Sequence, residues 1–186
     1  MARDEWKRAF EDLRKAGKIR HCGISINDHQ PDSALEIDAS GLIDSVQVIY
    51  NIFDQTPEAN LFSATQQHGV GVLARVPLDE GALTGTITAD SKFDDPFRAF
   101  YFKGNRPKEV VEHVDALKAD LRDVPGSLPE IALRFCISHP AVTTVIPGMR
   151  RVSSVESNCG VSEIGPLDGT VLERLRNHAW NKNYYT

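Results

Sequence analysis

The sequence predicts an α/β fold, a parallel β-sheet wrapped by helices, and three observations carry that prediction. Short, nearly all-apolar strands alternate with helices along the chain, the pattern of a sheet buried between other elements. The polar residues that stand out, Ser25, Gln47, Arg75 and the turn from Arg150 to Ser154, fall at or near strand C-terminal ends. Parallel α/β sheets place their ligands there. Finally, residues 142–158 (VTTVIPGMRRVSSVESN) join a β-branched strand to a Pro-Gly stop, two arginines and a Ser153/Glu156 capping box. Cations beside a helix N-terminus suit an anion, with phosphate the first choice. The plainer alternative is an ordinary βα turn with solvated arginines. A phosphate pocket after the last strand is the arrangement of (β/α) barrels in particular.

In chain order, residues 4–15 read as a helix with Trp6, Phe10 and Leu13 on one face and Gly17 as its stop. No strand is expected ahead of it. Residues 19–26 (IRHCGISI) form the first strand, with Gly23 permitting close approach of a backbone or ligand. Residues 31–40 make a short helix ended by Gly41. Residues 46–50 form the second strand, where Gln47 is expected to be largely buried and satisfied by a neighbouring backbone or a ligand amide. Residues 57–68 are helical, with Pro57 in the first turn and Gly69 following. Residues 70–76 form the third strand. A long loop then reaches Arg106, and its Phe93, Phe97, Phe100, Tyr101 and Phe102 mark it as a functional cover. Residues 107–121 make an amphipathic helix on Val110, Val114, Leu117 and Leu121, and residues 128–138 make another. The strand at residues 142–146 comes fourth. Helices at residues 153–158 and 168–180 follow, and the tail is NKNYYT.

A chain of 186 residues suits one domain with a real core. Its 41% hydrophobic and 25% charged residues are those of a soluble globular protein. A net charge of -5 without a basic tract argues against nucleic-acid binding. No apolar run reaches membrane-spanning length, and MARDEWKRAF is unlike a signal peptide. Cys22, Cys136 and Cys159 are scattered, which predicts buried free thiols in a reducing cytoplasm. The histidines show no metal-ligand spacing, and His21 and His29 read as structural. Tyr50, the one tyrosine at a strand end, reads as core or pocket lining. No G-x-G-x-x-G follows a strand, which disfavours a dinucleotide Rossmann unit, and there is no P-loop.

The segments GKIRHCGIS, VQVIYN, GVGVLARVPLDEGALTG, IALRFCISHPAVTTVIPG and VESN together resemble the second half of an aldo-keto reductase. They stand in that family's order and spacing over essentially the whole chain. The resemblance implies a TIM-type (β/α) barrel, of which this chain carries only the last four βα units, a half barrel over residues 1–186. It implies carbonyl reduction or alcohol oxidation with NAD(P)H, the cofactor lying extended across the C-terminal face. NADP is the favoured cofactor and NAD the second candidate. By resemblance, Ser25 and Gln47 hold the nicotinamide carboxamide. Arg75 stands where the family often has a tyrosine stacking on the ring. Pro77, Leu78, Gly81 and Leu83 lie near the pyrophosphate. Ile146, Gly148, Arg150, Ser154 and Asn158 meet the adenosine phosphate and adenine. The family's usual asparagine after the strand serine is Ile26 here. Its frequent base for the 2′-phosphate is Gly148 and its later arginine Ser154, with Arg150 and Arg151 as substitutes.

The family's catalytic Asp, Tyr, Lys and His belong to the first half of the barrel, so no catalytic residue and no metal ligand is assigned. Four strands appear where a barrel needs eight. The chain is accordingly expected to be truncated, inactive alone and cytoplasmic. The faces of Ile24, Val46, Val48, Val72 and Val145 are expected to lack their cover, and two sheet edges to stand open. A partner is therefore expected, either the missing N-terminal half or a second copy; neither nucleic acid nor membrane is. Two other readings compete: a non-catalytic half-barrel serving as nucleotide-binding or scaffold module, and an unrelated α/β phosphate-binding enzyme.

Overall fold

The computed structural model describes residues 5–186, so the predicted helix start at Asp4 lies outside the described residues. Four strands, β1 (Gly23–Ser25), β2 (Ser45–Ile49), β3 (Gly71–Arg75) and β4 (Val142–Ile146), pair in parallel in chain order. Helix α1 (Glu5–Lys15) precedes β1, α2 (Leu35–Asp38) follows it, and α3 (Leu61–His68) follows β2. Between β3 and β4 come α4 (Pro96–Tyr101), α5 (Arg106–Asp120) and α6 (Leu128–Ser138); α7 (Val152–Ile164) and α8 (Gly169–Arg176) close the order.

The strand pattern decides which face meets the helices. Val46, Val48, Val72 and Ala74 are buried and join Phe62, Ala132, Phe135 and Cys136 in one hydrophobic cluster. Side chains alternate across a strand, so the opposite face carries Ser25, Gln47, Leu73, Arg75, Thr144 and Ile146, all half-buried or exposed. This corrects two expectations. The valines lie under the helices and need no missing strands to cover them; Ile24 and Val145 pack against the same cluster. Gln47 is not largely buried, because it sits on the open face, in register with Ser25 and Leu73.

β1 is three residues long where eight were expected. At its start the Cys22 N–H donates to the Asp44 carboxylate at 2.7 Å, so a side chain replaces the ladder. Arg14 of α1 pairs with the same carboxylate and ties that helix to the sheet edge. Gly23 is required by close approach: a Cβ there would lie 2.7 Å from the Ser45 carbonyl oxygen.

The helices differ mainly at their ends. Residues 31–40 divide into a 3-10 turn at Pro31–Ala34 and the single turn of α2. Pro57 falls in a separate 3-10 turn, Thr56–Glu58, ahead of α3. Gly69 ends α3 at φ 69°, a left-handed value natural to glycine. The long loop carries structure of its own, helical turns at Asp79–Thr84 and then α4, which Asp95 caps by accepting from the Arg98 N–H. The Ser153/Glu156 capping box does not form. Arg151 occupies the cap position, the Ser154 N–H donates to its carbonyl at 3.0 Å, and α7 continues past Asn158 to Ile164. α8 stops at Arg176, and Trp180 instead donates its N–H to the Phe53 carbonyl at 2.8 Å. Cys22 and Cys136 are buried as expected, whereas Cys159 is exposed. Among the described residues no helix is long and apolar enough to cross a membrane.

Candidate functional site

The loops leaving the strand C-terminal ends gather most of the predicted residues. Pro77, Leu78 and Gly81 face Ile146, Gly148, Arg150 and Ser154 across a cleft of about 640 Å³. A neighbouring groove of about 680 Å³ shares Leu78, Gly148 and Ser154 and adds Asn158. Asn158 Nδ2 donates to the Gly148 carbonyl at 3.4 Å, which ties the turn to the first half of α7. Leu83 does not join them. It is completely buried and belongs to the core, because its backbone N–H turns back to the Leu78 carbonyl at 3.1 Å.

The chemistry of this cleft suits an anion. The first N–H groups of a helix have no partner within it and carry the positive end of its dipole; here α7 supplies them. Arg150 and Arg151 are exposed beside them. The pattern missed Arg98, whose guanidinium lies 4.6 Å from the Phe93 ring centre and whose Nε is buried without a hydrogen-bond partner. Gly81 makes room for it, since a Cβ there would meet Arg98 Nη2 at 2.8 Å. Glu80 and Asp95 also line the cleft and oppose the arginines. Three cations, a helix N-terminus and an orphaned guanidinium N–H fit a phosphate or pyrophosphate group.

One wall of the cleft is strained. Val76, Asp79 and Glu80 have φ of 56°, 47° and 54°, a conformation costing about 1–3 kcal/mol for residues other than glycine and rarest for a β-branched one. Tertiary contacts hold it. Asn51 Nδ2 donates to the Val76 carbonyl at 2.9 Å. Lys182 Nζ donates to both Asp79 oxygens at 2.7 and 2.8 Å, Tyr101 Oη donates to Asp79 at 3.3 Å, and Tyr185 Oη donates to Glu80 at 2.8 Å. Burial, then the nearby Asp79 and Glu80 charges, push the Tyr101 and Tyr185 hydroxyls far up, so both remain donors. Burial also raises Glu80, against the lowering effect of the Tyr185 hydrogen bond. Lys182 is enclosed by the rings of Trp180 at 4.9 Å, Tyr184 at 5.3 Å and Phe53 at 5.5 Å. These partners come largely from the NKNYYT tail, to which the sequence reading assigned no role; its aromatic residues around a lysine were the available signal.

At the other end Ser25 and Arg75 share a polar recess with Asn183 and Tyr185, while Gln47 stands one strand over from Ser25. Arg75 is engaged with the β1 loop: Nη2 donates to Asp28 Oδ1 at 2.6 Å and to the Ile26 carbonyl at 3.2 Å. Nearby, His29 Nδ1 lies 2.7 Å from Asp54 Oδ2. Burial alone would raise Asp54, but hydrogen bonds from His29 and Thr56 outweigh it and hold the carboxyl below its usual range. His21 is exposed and pairs with Asp44 at 3.2 Å. Tyr50 is core: it is buried against Phe62 and Phe135, and its hydroxyl donates to Glu58 at 2.6 Å. Among the described residues no group of three or more His, Cys, Asp or Glu is placed to hold a metal.

Residues 3–179 match the model of the Aldo/keto reductase family. The chain is 28% identical over 174 residues to the NADP(+) aldo-keto reductase yakc of Schizosaccharomyces pombe, covering 89% of this chain and 50% of that one. It is 26% identical over 170 residues to the NADH-specific methylglyoxal reductase of Escherichia coli, covering 89% and 51%. Among solved structures it matches aldo-keto reductase AKR11C1 from Bacillus halodurans in its holo form, with 28% identity and a TM-score of 0.71. That match covers 98% of this chain and 59% of the other. The chain spans about half the length of the curated relatives it matches.

Proposed function

Because the chain belongs to the aldo/keto reductase family, we propose that it is the nicotinamide-nucleotide-binding part of a carbonyl reductase, the last four βα units of a (β/α) barrel. The observation that carries this reading is the cleft between the β3 loop and the N-terminus of α7, with Arg98, Arg150 and Arg151 on its walls. The 2′-phosphate and adenine would lie toward Gly148, Arg150, Ser154 and Asn158, and the pyrophosphate along Pro77, Leu78 and Gly81. Ser25 and Gln47 would take the carboxamide from the open face, with Arg75 beside the ring. The arginines favour NADP, NAD being the second candidate. When bound, the nicotinamide supplies or accepts the hydride.

This chain's own residues bind and orient. Reduction of a carbonyl also needs a placed proton donor. The hydroxyls of Tyr50, Tyr101, Tyr184 and Tyr185 are each committed to a carboxylate, of Glu58, Asp79, Glu109 and Glu80 respectively. On this reading the donor is supplied by further strands, in the same or another polypeptide, which also cover the open face. A scaffold role without chemistry is the second reading, favoured by the same engaged tyrosines.

Isothermal titration of the purified chain with NADP+ tests the proposal. Saturable binding is expected, together with no steady oxidation of NADPH by simple aldehydes. Absence of binding would remove the nucleotide reading. Steady turnover that survives purification and is lost in Arg75→Ala would remove the claim that the chain is inactive alone.

A further inference from the structure

We infer that Lys182 is a positioning residue for nucleotide binding: the tail segment around it latches the strained β3 loop into the shape that receives the pyrophosphate. This rests on the proposed nucleotide reading and adds a part of the chain to it. Left alone, a stretch with Val76, Asp79 and Glu80 all at positive φ would relax toward the ordinary regions of backbone space. The two acidic residues of that stretch are the ones the tail grips. Lys182 holds both oxygens of Asp79, and the two side chains are only 6% and 5% exposed. Tyr185 holds Glu80. Glu80 and Gly81, adjacent to the latched Asp79, line the cleft opposite Gly148 and Arg150.

The ion pair is close to obligatory as built. A buried carboxylate stripped of its cation is left uncompensated; Asp79 would be driven out toward water, and that movement carries the loop with it. The rings of Trp180, Tyr184 and Phe53 around the ammonium restrict it to this position. Lys182 itself is absent from the lining of the cleft, so its effect passes through Asp79 and its neighbours.

The latch sits at the β3 wall, whereas the expected adenosine end lies at α7. That separation gives the test. NADP+ and adenosine 2′,5′-bisphosphate are titrated against the wild-type chain, Lys182→Met, Lys182→Met/Asp79→Asn and Tyr185→Phe, in the assembly the chain forms, with circular dichroism melting as fold control. Lys182→Met should weaken NADP+ by about tenfold, within the range that a repositioned element transmits, while adenosine 2′,5′-bisphosphate changes by less than about twofold. Adding Asp79→Asn removes the stranded charge and should restore much of the NADP+ affinity. Tyr185→Phe, which strands no charge and keeps the ring, should weaken NADP+ alone by a smaller factor and decides the matter if Lys182→Met does not fold. Unchanged NADP+ affinity in the variants, or an equal loss for both ligands, overturns the latch while leaving the nucleotide reading intact. Failure of the wild-type chain to bind either ligand overturns both.

Discussion

Asn51 ties the end of β2 to the end of β3: its Nδ2 donates to the Val76 carbonyl at 2.9 Å, and its Oδ1 accepts the N–H groups of Phe53 and Asp54, each at 2.9 Å. The side chain is fully buried. It thereby fixes both the loop that carries Asp54 and the positive-φ turn that opens the cleft wall.

Asn51→Ala would leave one carbonyl and two N–H groups without this partner. Buried unsatisfied groups cost about 1–3 kcal/mol each, and partial relaxation brings the expected loss to about 2–4 kcal/mol. Urea denaturation should show a lower midpoint at unchanged slope. A loss under about 1 kcal/mol would mean that backbone or water takes over all three bonds.

Gly23→Ala tests the shortness of β1. The added Cβ would meet the Ser45 carbonyl oxygen at 2.7 Å and also clash with Ser45 Oγ, and overpacking of this kind costs about 1–3 kcal/mol. Hydrogen exchange should show faster opening of the β1/β2 pairing with β3 protected as before. Equal protection in both proteins would count against the close approach.

Acid should act through Asp54 and Glu80 in opposite senses. Asp54 has a folded pKa below its ordinary 3.8, so it contributes stability that is present above that value and lost as pH falls through the folded pKa. Glu80 has a folded pKa above its ordinary 4.5, so stability is gained as pH falls through the folded value toward 4.5. A melting-temperature profile should therefore rise slightly on mild acidification and fall below about pH 4. Glu80→Gln should abolish the rise and Asp54→Asn blunt the fall; a profile identical in wild type and both variants would remove these groups as its cause.

Arg150→Glu replaces attraction by repulsion at the helix N-terminus. Titration with adenosine 2′,5′-bisphosphate should show affinity falling by about tenfold, the effect of roughly 1.4 kcal/mol, and the wild-type affinity should decline with added salt. An unchanged affinity would take Arg150 out of the site.

β1 and β4 each pair with one neighbour and form the two edges of the sheet. Exposed edges seek partners, and the open face between them carries Ile146 at 43% exposure. Light scattering is expected to report a particle larger than one chain, or a complex with strands that complete the barrel. The drive comes from edges and a mixed polar face rather than from bare valines. A cooperatively melting monomer would show that the edges are tolerated.

The resemblance to the family placed Pro77, Leu78, Gly81 and Gly148; the sequence by itself determined the parallel α/β order, the span of β4 and the turn from Arg150 to Ser154 at a strand end. Each depends on local signals: apolar runs for buried strands, Pro-Gly and Gly stops, and arginines beside a helix start. Only the tertiary structure decided which face of the valine strands meets the helices, because two-residue alternation is symmetric until the helices choose a side. The same holds at Ser153, whose capping-box spacing was overridden when α7 began one residue earlier at Val152. Tertiary structure also decided that Asp79 and Lys182, 103 positions apart, neutralise one another. No local pattern encodes such a pair, since a lysine in a polar tail and an aspartate in a loop look like solvated charges until packing removes the water.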